Sequence, residues 1–343
     1  MSEHILNGKK IRVAVVGVGD FGRNHVRVFR ELDNVELVCV VDANAERASQ
    51  VATEFSTAVN PTYQSLADRV DAVSLAVPTV DHARIGCALL EQGIDVLVEK
   101  PIAGSLAEAD ALIVTALKHG RILQVGHLER FNPAVLAVEA IVNHPLFFEV
   151  HRLGVFTPRS LDIDVVYDVM IHDLDILLAL VDSPIEEVKA VGIPVLTDKV
   201  DIAHARIAFG SGAIANVTAS RVSTERVRKM RFFQQHEYIS LDYTRRDALR
   251  VRVVGSPQPG SPGQQAQAPQ LAFAFEKLPA VPEEPLRGEL RHFIEAVQTR
   301  RAPRVDGAAG RRALELADRV TAGILDHARR VQLGALVTPQ ASL

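Results

Sequence analysis

The chain has 343 residues, of which 48% are hydrophobic and 23% are charged, and its formal net charge is −4. This length suits about two domains with ordinary soluble cores, and the small negative charge gives no general attraction to nucleic acid or anionic membranes. We expect no signal peptide, no membrane span of about 18 apolar residues and no metal cluster, and we expect Cys39 and Cys87 to be free thiols in a reducing cytoplasm.

In the first part of the chain, up to about Leu128, short apolar runs alternate with amphipathic helical runs. The predicted strands are residues 13–16, 37–41, 72–77, 96–98 and 122–125, and the predicted helices are 21–32, 45–55, 82–92 and 106–119. Continuous apolar strands between helices are typical of a parallel sheet that is covered on both faces. We therefore assign residues 1–128 to a doubly wound α/β nucleotide-binding domain.

After Leu128 the pattern changes to runs that are rich in β-branched residues. Predicted helices at 133–143 and 164–181 flank a strand at 148–155, and further strands follow at 188–195, 203–209, 213–221, 229–243 and 250–254. Gly210-Ser-Gly212 is typical of a hairpin turn, and residues 255–269 have the low complexity of a surface loop. These features predict an α+β domain with a large, mostly antiparallel open sheet over residues 129–343. The terminal helices, 283–299 and 307–330, could pack on either domain.

The most informative motif is Gly17-Val-Gly19-Asp-Phe-Gly22, which lies between the first strand and the first helix. In this motif Gly17 permits a tight turn, Gly19 lets the backbone approach a pyrophosphate, and Gly22 lets the helix pack on the strand. Asp42 ends the second apolar run, where its carboxylate would accept hydrogen bonds from a ribose 2′-hydroxyl. The pattern predicts a Rossmann domain that binds NAD rather than NADP, although Arg47 could grip a 2′-phosphate.

The loop at residues 78–82, which follows the predicted strand at 72–77, should line the nicotinamide side of the same site. The further predicted cofactor-binding residues are Asp20, Phe21, Pro78, Thr79 and His82. An alternative for this loop is a helix-capping turn, with Thr79 or Asp81 as the cap.

Two further patterns carry side chains that are suited to proton transfer. Glu99-Lys100-Pro101 follows a strand at its carboxyl end, where ligands bind to open α/β sheets. Asp168, His172 and Asp175 are spaced to share one face of a helix, and a histidine beside a carboxylate can act as a general base. From position alone, Lys100 could instead be an ordinary solvent-exposed lysine, and the three helix residues could be a polar stripe that faces solvent. Asp173 should be exposed or structural.

Taken together, the glycine motif with His25, the Glu99-Lys100-Pro101 sequence and the run from Asp168 to Asp175 resemble the glucose–fructose oxidoreductase / inositol dehydrogenase / MocA (Gfo/Idh/MocA) family. The resemblance spans nearly the whole chain and implies that Lys100, Asp168 and His172 are the catalytic group of an NAD-dependent alcohol oxidation. It also implies that Glu99 and Lys100 contact the cofactor. Met170 is a departure, since the family often has glycine two residues before the histidine.

A narrower resemblance concerns the substrate. Residues 125–134 are similar to family members that oxidise the 3-hydroxyl of UDP-N-acetylglucosamine, and residues 159–166 and 229–243 to those that prepare 3-amino sugars for lipid A. The substrate-binding residues that this resemblance implies are Lys100, Glu129, Arg130, Asn132, Arg159, Asp168 and His172. Arg130 and Asn132 could instead anchor or cap the helix at Pro133. The diphosphate has candidate partners in Arg159 and in the basic residues between 221 and 231, which could equally form a solvated face.

Two other functions remain open on the sequence. One is NAD-dependent oxidation of a free polyol such as an inositol, and the other is a non-catalytic NAD-binding sensor, which would be expected to lack Lys100 or His172. The apolar strands of an open sheet also suggest subunit pairing, so we expect a homodimer or a homotetramer.

Overall fold

The computed structural model describes residues 10–157, 163–254, 272–333 and 336. The chain divides into two compact units, Met1–Phe131 with Glu283–Leu316, and Asn132–Pro282 with Ala317–Leu343. The prediction of a second domain over residues 129–343 left the terminal helices free to pack on either domain, and Glu283–Leu316 belongs to the first unit. The physical reason is an apolar stripe on the helix that follows Glu284, because Leu290, Phe293 and Val297 are buried in the core of the first unit.

The first unit contains a six-stranded parallel sheet with helices between its strands. The strand order is β3-β2-β1-β4-β5-β6, with β1 at Ile11–Val16, β2 at Val35–Val41, β3 at Ala58–Val59, β4 at Ala72–Leu75, β5 at Asp95–Glu99 and β6 at Leu123–Gly126. The helices are α1 (Asp20–Glu31), α2 (Ala45–Phe55), α3 (His82–Glu91), α4 (Leu106–Lys118) and α7 (Pro285–Thr299). Every residue of β4 and β5 is buried, as the continuous apolar strands predicted.

The second unit contains an eight-stranded sheet in which only one neighbouring pair is parallel, β7 with β10. The strand order is β14-β13-β12-β11-β7-β10-β9-β8, with β7 at Pro145–Leu153, β8 at Ile185–Ile193, β9 at Ile202–Phe209, β10 at Ile214–Ser220, β11 at Val227–Gln234, β12 at Glu237–Asp242, β13 at Asp247–Val254 and β14 at Ala272–Lys277. Its helices are α5 (Pro133–Glu139) and α6 (Ile171–Leu180), and α8 (Gly307–Arg330) begins in the first unit and ends in the second. The predicted α/β architecture with a mostly antiparallel second sheet is therefore confirmed.

The strand β7 has a particular place in this sheet. Strands β8, β9 and β10 form one antiparallel group, and strands β11 to β14 form another. The strand that precedes all of them in the chain, β7, pairs with β10 on one side and β11 on the other. It therefore joins two locally paired groups into a single sheet.

Three local predictions needed correction or refinement. The predicted strand at 229–243 is two strands, because His236 adopts a φ of +64° and closes a hairpin without glycine or proline. The helix predicted from Asp164 begins with a π-helical turn over Val166–Met170, where the Ile171 N–H bonds to the Val166 carbonyl. The strand β14 was not predicted, while the Gly210–Gly212 hairpin is confirmed between β9 and β10. The predicted loop at 255–269 lies outside the described residues.

Candidate active site

A cavity of about 700 Å³ lies in the first unit at the carboxyl ends of β1, β2 and β4. The predicted residues that line it are Gly17, Gly19, Asp20, Phe21, Asp42 and Pro78. Further lining residues that the sequence analysis did not assign to the site are Ala43, Asn44, Pro61, Thr62, Tyr63, Gln64 and Arg84. This edge of an open α/β sheet is where such folds bind their ligands.

The three motif glycines have three different surroundings. Gly17 has a φ of +85°, and a Cβ there would lie 2.5 Å from the carbonyl oxygen of Ala76. A Cβ at Gly22 would lie 1.8 Å from the carbonyl oxygen of Gly17, whereas a Cβ at Gly19 would meet no atom of the protein within 4 Å. Gly17 and Gly22 are therefore required by the turn and by the packing of α1 on β1, while Gly19 leaves open space at the α1 N-terminus. That space suits a pyrophosphate, which would face the first N–H groups of the helix.

The Asp42 carboxylate is held in a fixed orientation at the end of β2. Its Oδ2 accepts a hydrogen bond from the Val18 N–H at 2.8 Å, and its Oδ1 accepts one from the Asn44 N–H at 2.8 Å. Each oxygen keeps a further lone pair that can accept a ribose hydroxyl. The Arg47 guanidinium lies 3.7 Å from Oδ1, so the arginine that could have bound a 2′-phosphate is paired with Asp42.

Another part of the cavity wall is formed by residues that carry no recognisable motif. The Arg84 guanidinium donates to the Tyr63 hydroxyl at 2.9 Å and to Asp81 Oδ1 at 2.5 Å. Tyr63 lies in a short 3₁₀ turn, Tyr63–Ser65, and both side chains line the cavity. An aromatic ring beside a guanidinium offers flat surfaces of the kind on which a nucleobase stacks. The signal in the sequence was a lone tyrosine, which is too weak to assign.

His82 was predicted to contact the cofactor, but it is buried and is not among the cavity-lining residues. Its Nδ1 lies 2.9 Å from the Pro101 carbonyl oxygen, and its Nε2 lies 2.9 Å from the Val77 carbonyl oxygen. Burial lowers the pKa of His82, and the two carbonyl groups only partly offset this. The side chain thus ties the loop after β4 to the loop after β5. Thr79 begins the 3₁₀ turn Thr79–Asp81, which lies between Val77 and His82 in the sequence.

Glu99 is also buried, whereas the adjacent Lys100 is half-buried. The Glu99 Oε1 lies 3.1 Å from His25 Nε2, and its Oε2 accepts a hydrogen bond from the Lys100 N–H at 3.3 Å. Burial acts to raise the pKa of Glu99, but its contact with the His25 imidazole and the positive charge of Lys100 outweigh it, so the pKa lies below its usual value. The carboxylate is therefore ionised at neutral pH.

In the second unit, Asp168 lies in the π-helical turn and His172 in the first turn of α6, and both are half-buried. Met170, which lies between these two residues in the sequence, is fully buried. Asp173 is structural rather than exposed, because it is fully buried and accepts hydrogen bonds from Arg152 Nε at 2.7 Å and Nη2 at 2.8 Å. These contacts anchor α6 to β7.

The predicted substrate-binding residues fall into both units. Glu129 is buried and Arg130 half-buried on the 3₁₀ turn Leu128–Phe131 of the first unit. Asn132 belongs to the second unit and caps α5, since its Oδ1 accepts from the Ala134 N–H at 3.1 Å. Its amide also donates to the Tyr243 carbonyl at 3.0 Å. The capping alternative therefore accounts for Asn132, and Arg159 lies outside the described residues.

Two of the basic residues between 221 and 231 have partners within the second unit. Arg221 is buried, donates to the carbonyl groups of Ile163 and Val200, and lies 3.5 Å from Asp201 Oδ1. Arg231 pairs with Glu149 across the sheet. These contacts give Arg221 a structural role in the second unit. Among the described residues, no group of histidine, cysteine and carboxylate side chains is arranged to hold a metal ion.

Comparisons with known proteins agree with this geometry. Residues 11–127 match the family model described as an oxidoreductase family with an NAD-binding Rossmann fold, and residues 134–255 match the GFO/IDH/MocA C-terminal domain. The chain is 37% identical over 315 residues to UDP-N-acetylglucosamine 3-dehydrogenase of Acidithiobacillus ferrooxidans, which covers 92% of this chain and 97% of that protein. A solved structure of that enzyme superposes with a TM-score of 0.83 at 35% identity, and covers 92% of this chain and 98% of the other.

A further relative is the scyllo-inositol 2-dehydrogenase (NAD(+)) of Bacillus subtilis. It is 32% identical over 235 residues, which are 62% of this chain and 68% of that protein. The chain therefore belongs to the Gfo/Idh/MocA oxidoreductase family. It is an NAD-dependent oxidoreductase, and the cavity lined by Gly17, Gly19 and Asp42 fits that cofactor. None of the helices in the described ranges combines the length and apolarity that a membrane crossing requires.

Proposed function

We propose that this enzyme oxidises the 3-hydroxyl of UDP-N-acetylglucosamine to give the 3-keto nucleotide sugar. The observation that carries the proposal is the 37% identity with a UDP-N-acetylglucosamine 3-dehydrogenase over 92% of the chain. The inositol dehydrogenase matches a smaller share of this chain, at 62%. A sensor without activity is disfavoured because Lys100 and His172 are both present.

The roles of the residues follow from the chemistry of alcohol oxidation. The glycine turn and Asp42 would hold NAD, which when bound would accept the hydride. His172 takes the hydroxyl proton as general base, a role that typically contributes about 10²–10⁴-fold to the rate. Asp168, four residues earlier, orients the imidazole. The Lys100 ammonium donates a hydrogen bond to the reacting oxygen and stabilises its developing negative charge.

The cellular setting is a further part of the proposal. Cys39 and Cys87 are free, and burial raises the pKa of both thiols, which suits a reducing cytoplasm. The product would feed a transamination that makes a 3-amino sugar for lipid A. Exposed apolar side chains such as Phe233, Phe273 and Phe275 on the second sheet support pairing as a homodimer or homotetramer. Sedimentation of a monomer at micromolar concentration would contradict this pairing.

The test is mass spectrometry of UDP-N-acetylglucosamine after incubation with the enzyme, NAD and a carbonyl trap. We expect a trapped ketone on the intact nucleotide sugar, and loss of at least about tenfold in rate with His172→Asn or Lys100→Met while NAD affinity is kept. The matched control is His204→Asn, because His204 is an exposed histidine on β9 that bonds Thr218. Turnover of inositols but not of the nucleotide sugar would favour the polyol enzyme. Silence with both substrate classes would favour the sensor.

A further inference from the structure

A buried carboxylate lies directly before the proposed catalytic lysine. Glu99 is the last residue of β5, and its side chain turns into the protein instead of toward the cavity, where the sequence analysis expected it. An ionised carboxylate is costly to bury unless its oxygens are hydrogen-bonded and its charge is balanced. The contacts of Glu99 therefore require an explanation.

Those contacts form a chain of three buried side chains from three different elements. His25 of α1 lies 3.1 Å from Glu99 Oε1 through its Nε2, and its Nδ1 lies 2.6 Å from the hydroxyl of Ser74 on β4. The Ser74 hydroxyl holds the imidazole by its hydrogen bond with Nδ1, and the Nε2 side of the ring faces Glu99 Oε1 as a close polar contact without hydrogen-bond geometry. The imidazole of His25 therefore lies directly against the carboxylate of Glu99, in a buried contact between the two side chains.

The other oxygen of the carboxylate holds the lysine. Glu99 Oε2 accepts the Lys100 N–H at 3.3 Å, and the Lys100 ammonium is a positive charge that acts on the carboxylate. Space for the carboxylate comes from Gly126 at the end of β6, where a Cβ would lie only 2.9 Å from Glu99 Oε1. The carboxylate at the end of β5 thus contacts both the His25 ring and the backbone of Lys100.

A purely structural carboxylate on the same strand gives a useful contrast. Asp95, the first residue of β5, is also buried, and it accepts the Ile122 N–H at 2.8 Å and bonds Arg300 at 2.5 Å. It balances its charge with an arginine at the edge of the sheet away from the cavity. Glu99, in comparison, lies against His25 and accepts the N–H of the residue that is proposed to meet the substrate.

We propose that Glu99 and His25 are positioning residues for Lys100, with Ser74 and His25 orienting the carboxylate, and the carboxylate fixing the backbone and the ammonium of the lysine. The proposal rests on the proposed role of Lys100 in hydride transfer. Because misplacement of a reacting group by about 1 Å can cost on the order of 10²-fold, loss of the carboxylate should appear in kcat.

The first experiment compares Glu99→Gln with Asp95→Asn, since both replace a buried carboxylate of β5 by its neutral amide. We expect Glu99→Gln to lower kcat by about 10–100-fold with NAD affinity unchanged within about threefold, whereas Asp95→Asn changes the denaturation midpoint and not kcat. His25→Gln, which keeps a donor near the position of Nε2, should retain most of the activity that His25→Leu loses. A kcat loss in Glu99→Gln no larger than that in Asp95→Asn, or equal losses for both His25 variants, would overturn the proposal.

A second measurement does not depend on turnover. Reductive methylation with [13C]formaldehyde labels Lys100, and the Lys100→Met variant identifies its resonance. The proposal requires this resonance to move in Glu99→Gln and to stay in place in Asp95→Asn. If the wild type turns over none of the substrates tested, the proposed function fails, and the resonance still decides whether Glu99 acts on Lys100. An unmoved resonance in Glu99→Gln refutes the positioning role.

Discussion

Alanine at Gly19 and alanine at Gly22 should have opposite effects on the enzyme, although the residues lie three positions apart in one motif. The Gly19 φ of −66° is available to any residue, and a Cβ there meets no protein atom within 4 Å. A glycine-to-alanine change at a compatible position stabilises a protein by about 0.4–1 kcal/mol, mainly because it restricts the unfolded chain. We therefore expect Gly19→Ala to fold at least as stably as the wild type.

The same methyl group would occupy the space into which the pyrophosphate must come. We expect the Kd for NAD to rise by at least about tenfold, which corresponds to about 1.4 kcal/mol. In Gly22→Ala the methyl would lie 1.8 Å from the Gly17 carbonyl oxygen, so α1 or the glycine turn must shift. Overpacking of this kind costs about 1–3 kcal/mol, and the shift should weaken NAD binding as well.

The assay pairs urea denaturation with calorimetric titration of NAD for each variant. Gly154→Ala is the control, because a Cβ at Gly154 would only reach ordinary contact with the Ser220 carbonyl at 3.6 Å. Wild-type NAD affinity in Gly19→Ala would show that the open space at Gly19 is not where the pyrophosphate binds. Destabilisation of Gly19→Ala to the level of Gly22→Ala would refute the packing argument.

Three further outcomes are expected. Asp42→Ala should raise the affinity for NADP relative to NAD by at least about tenfold in fluorescence titrations, because Arg47 loses its partner; an unchanged ratio would count against Asp42 as the ribose ligand. Arg152→Met should lower the free energy of unfolding by about 3–5 kcal/mol, since it leaves the Asp173 carboxylate buried without its cation; a urea-derived change below about 1 kcal/mol would contradict this. Because the pKa of His82 is lowered in the folded state, the unfolded chain binds the proton first as the pH falls. The stability of the enzyme should therefore fall as the pH drops below about 6.5. In His82→Gln, Tm measured across pH 5–8 should depend less steeply on pH than in the wild type.

The residues that could be predicted from the sequence are those whose role depends on local backbone geometry. Gly17, Gly22 and Asp42 belong to one continuous β-α-β segment, so their spacing in the sequence predicts where they lie in the structure. The helix cap at Asn132 is local in the same sense. Such features follow from the order of neighbouring residues, without knowledge of the rest of the chain.

The features that the sequence did not reveal depend on contacts between distant residues. Tyr63 and Arg84 meet at the cavity wall only because the 3₁₀ turn Tyr63–Ser65 and the first turn of α3 lie at the same edge of the sheet. Glu99 belongs to the Glu99-Lys100-Pro101 motif, which suggested contact with the cofactor, but it lies against His25, which is 74 residues away in the sequence and in turn bonds Ser74. Asp173 likewise owes its burial to Arg152 on β7. The sequence left the direction of these polar side chains open, since apolar patterning says nothing about which charged groups find partners.

The place of β7 in the second sheet has a consequence for synthesis of the chain. Its buried face, which includes Phe148 and Val150, leaves the ribosome before either neighbouring strand, since Val150 pairs with Val217 and with Met230. These partners follow 67 and 80 residues later, which at about 5–20 residues per second is roughly 3–16 seconds. During that interval the nascent chain exposes an apolar strand with both edges open. Chaperone demand and losses to aggregation during expression should therefore depend on how well β7 is protected until its partner strands emerge.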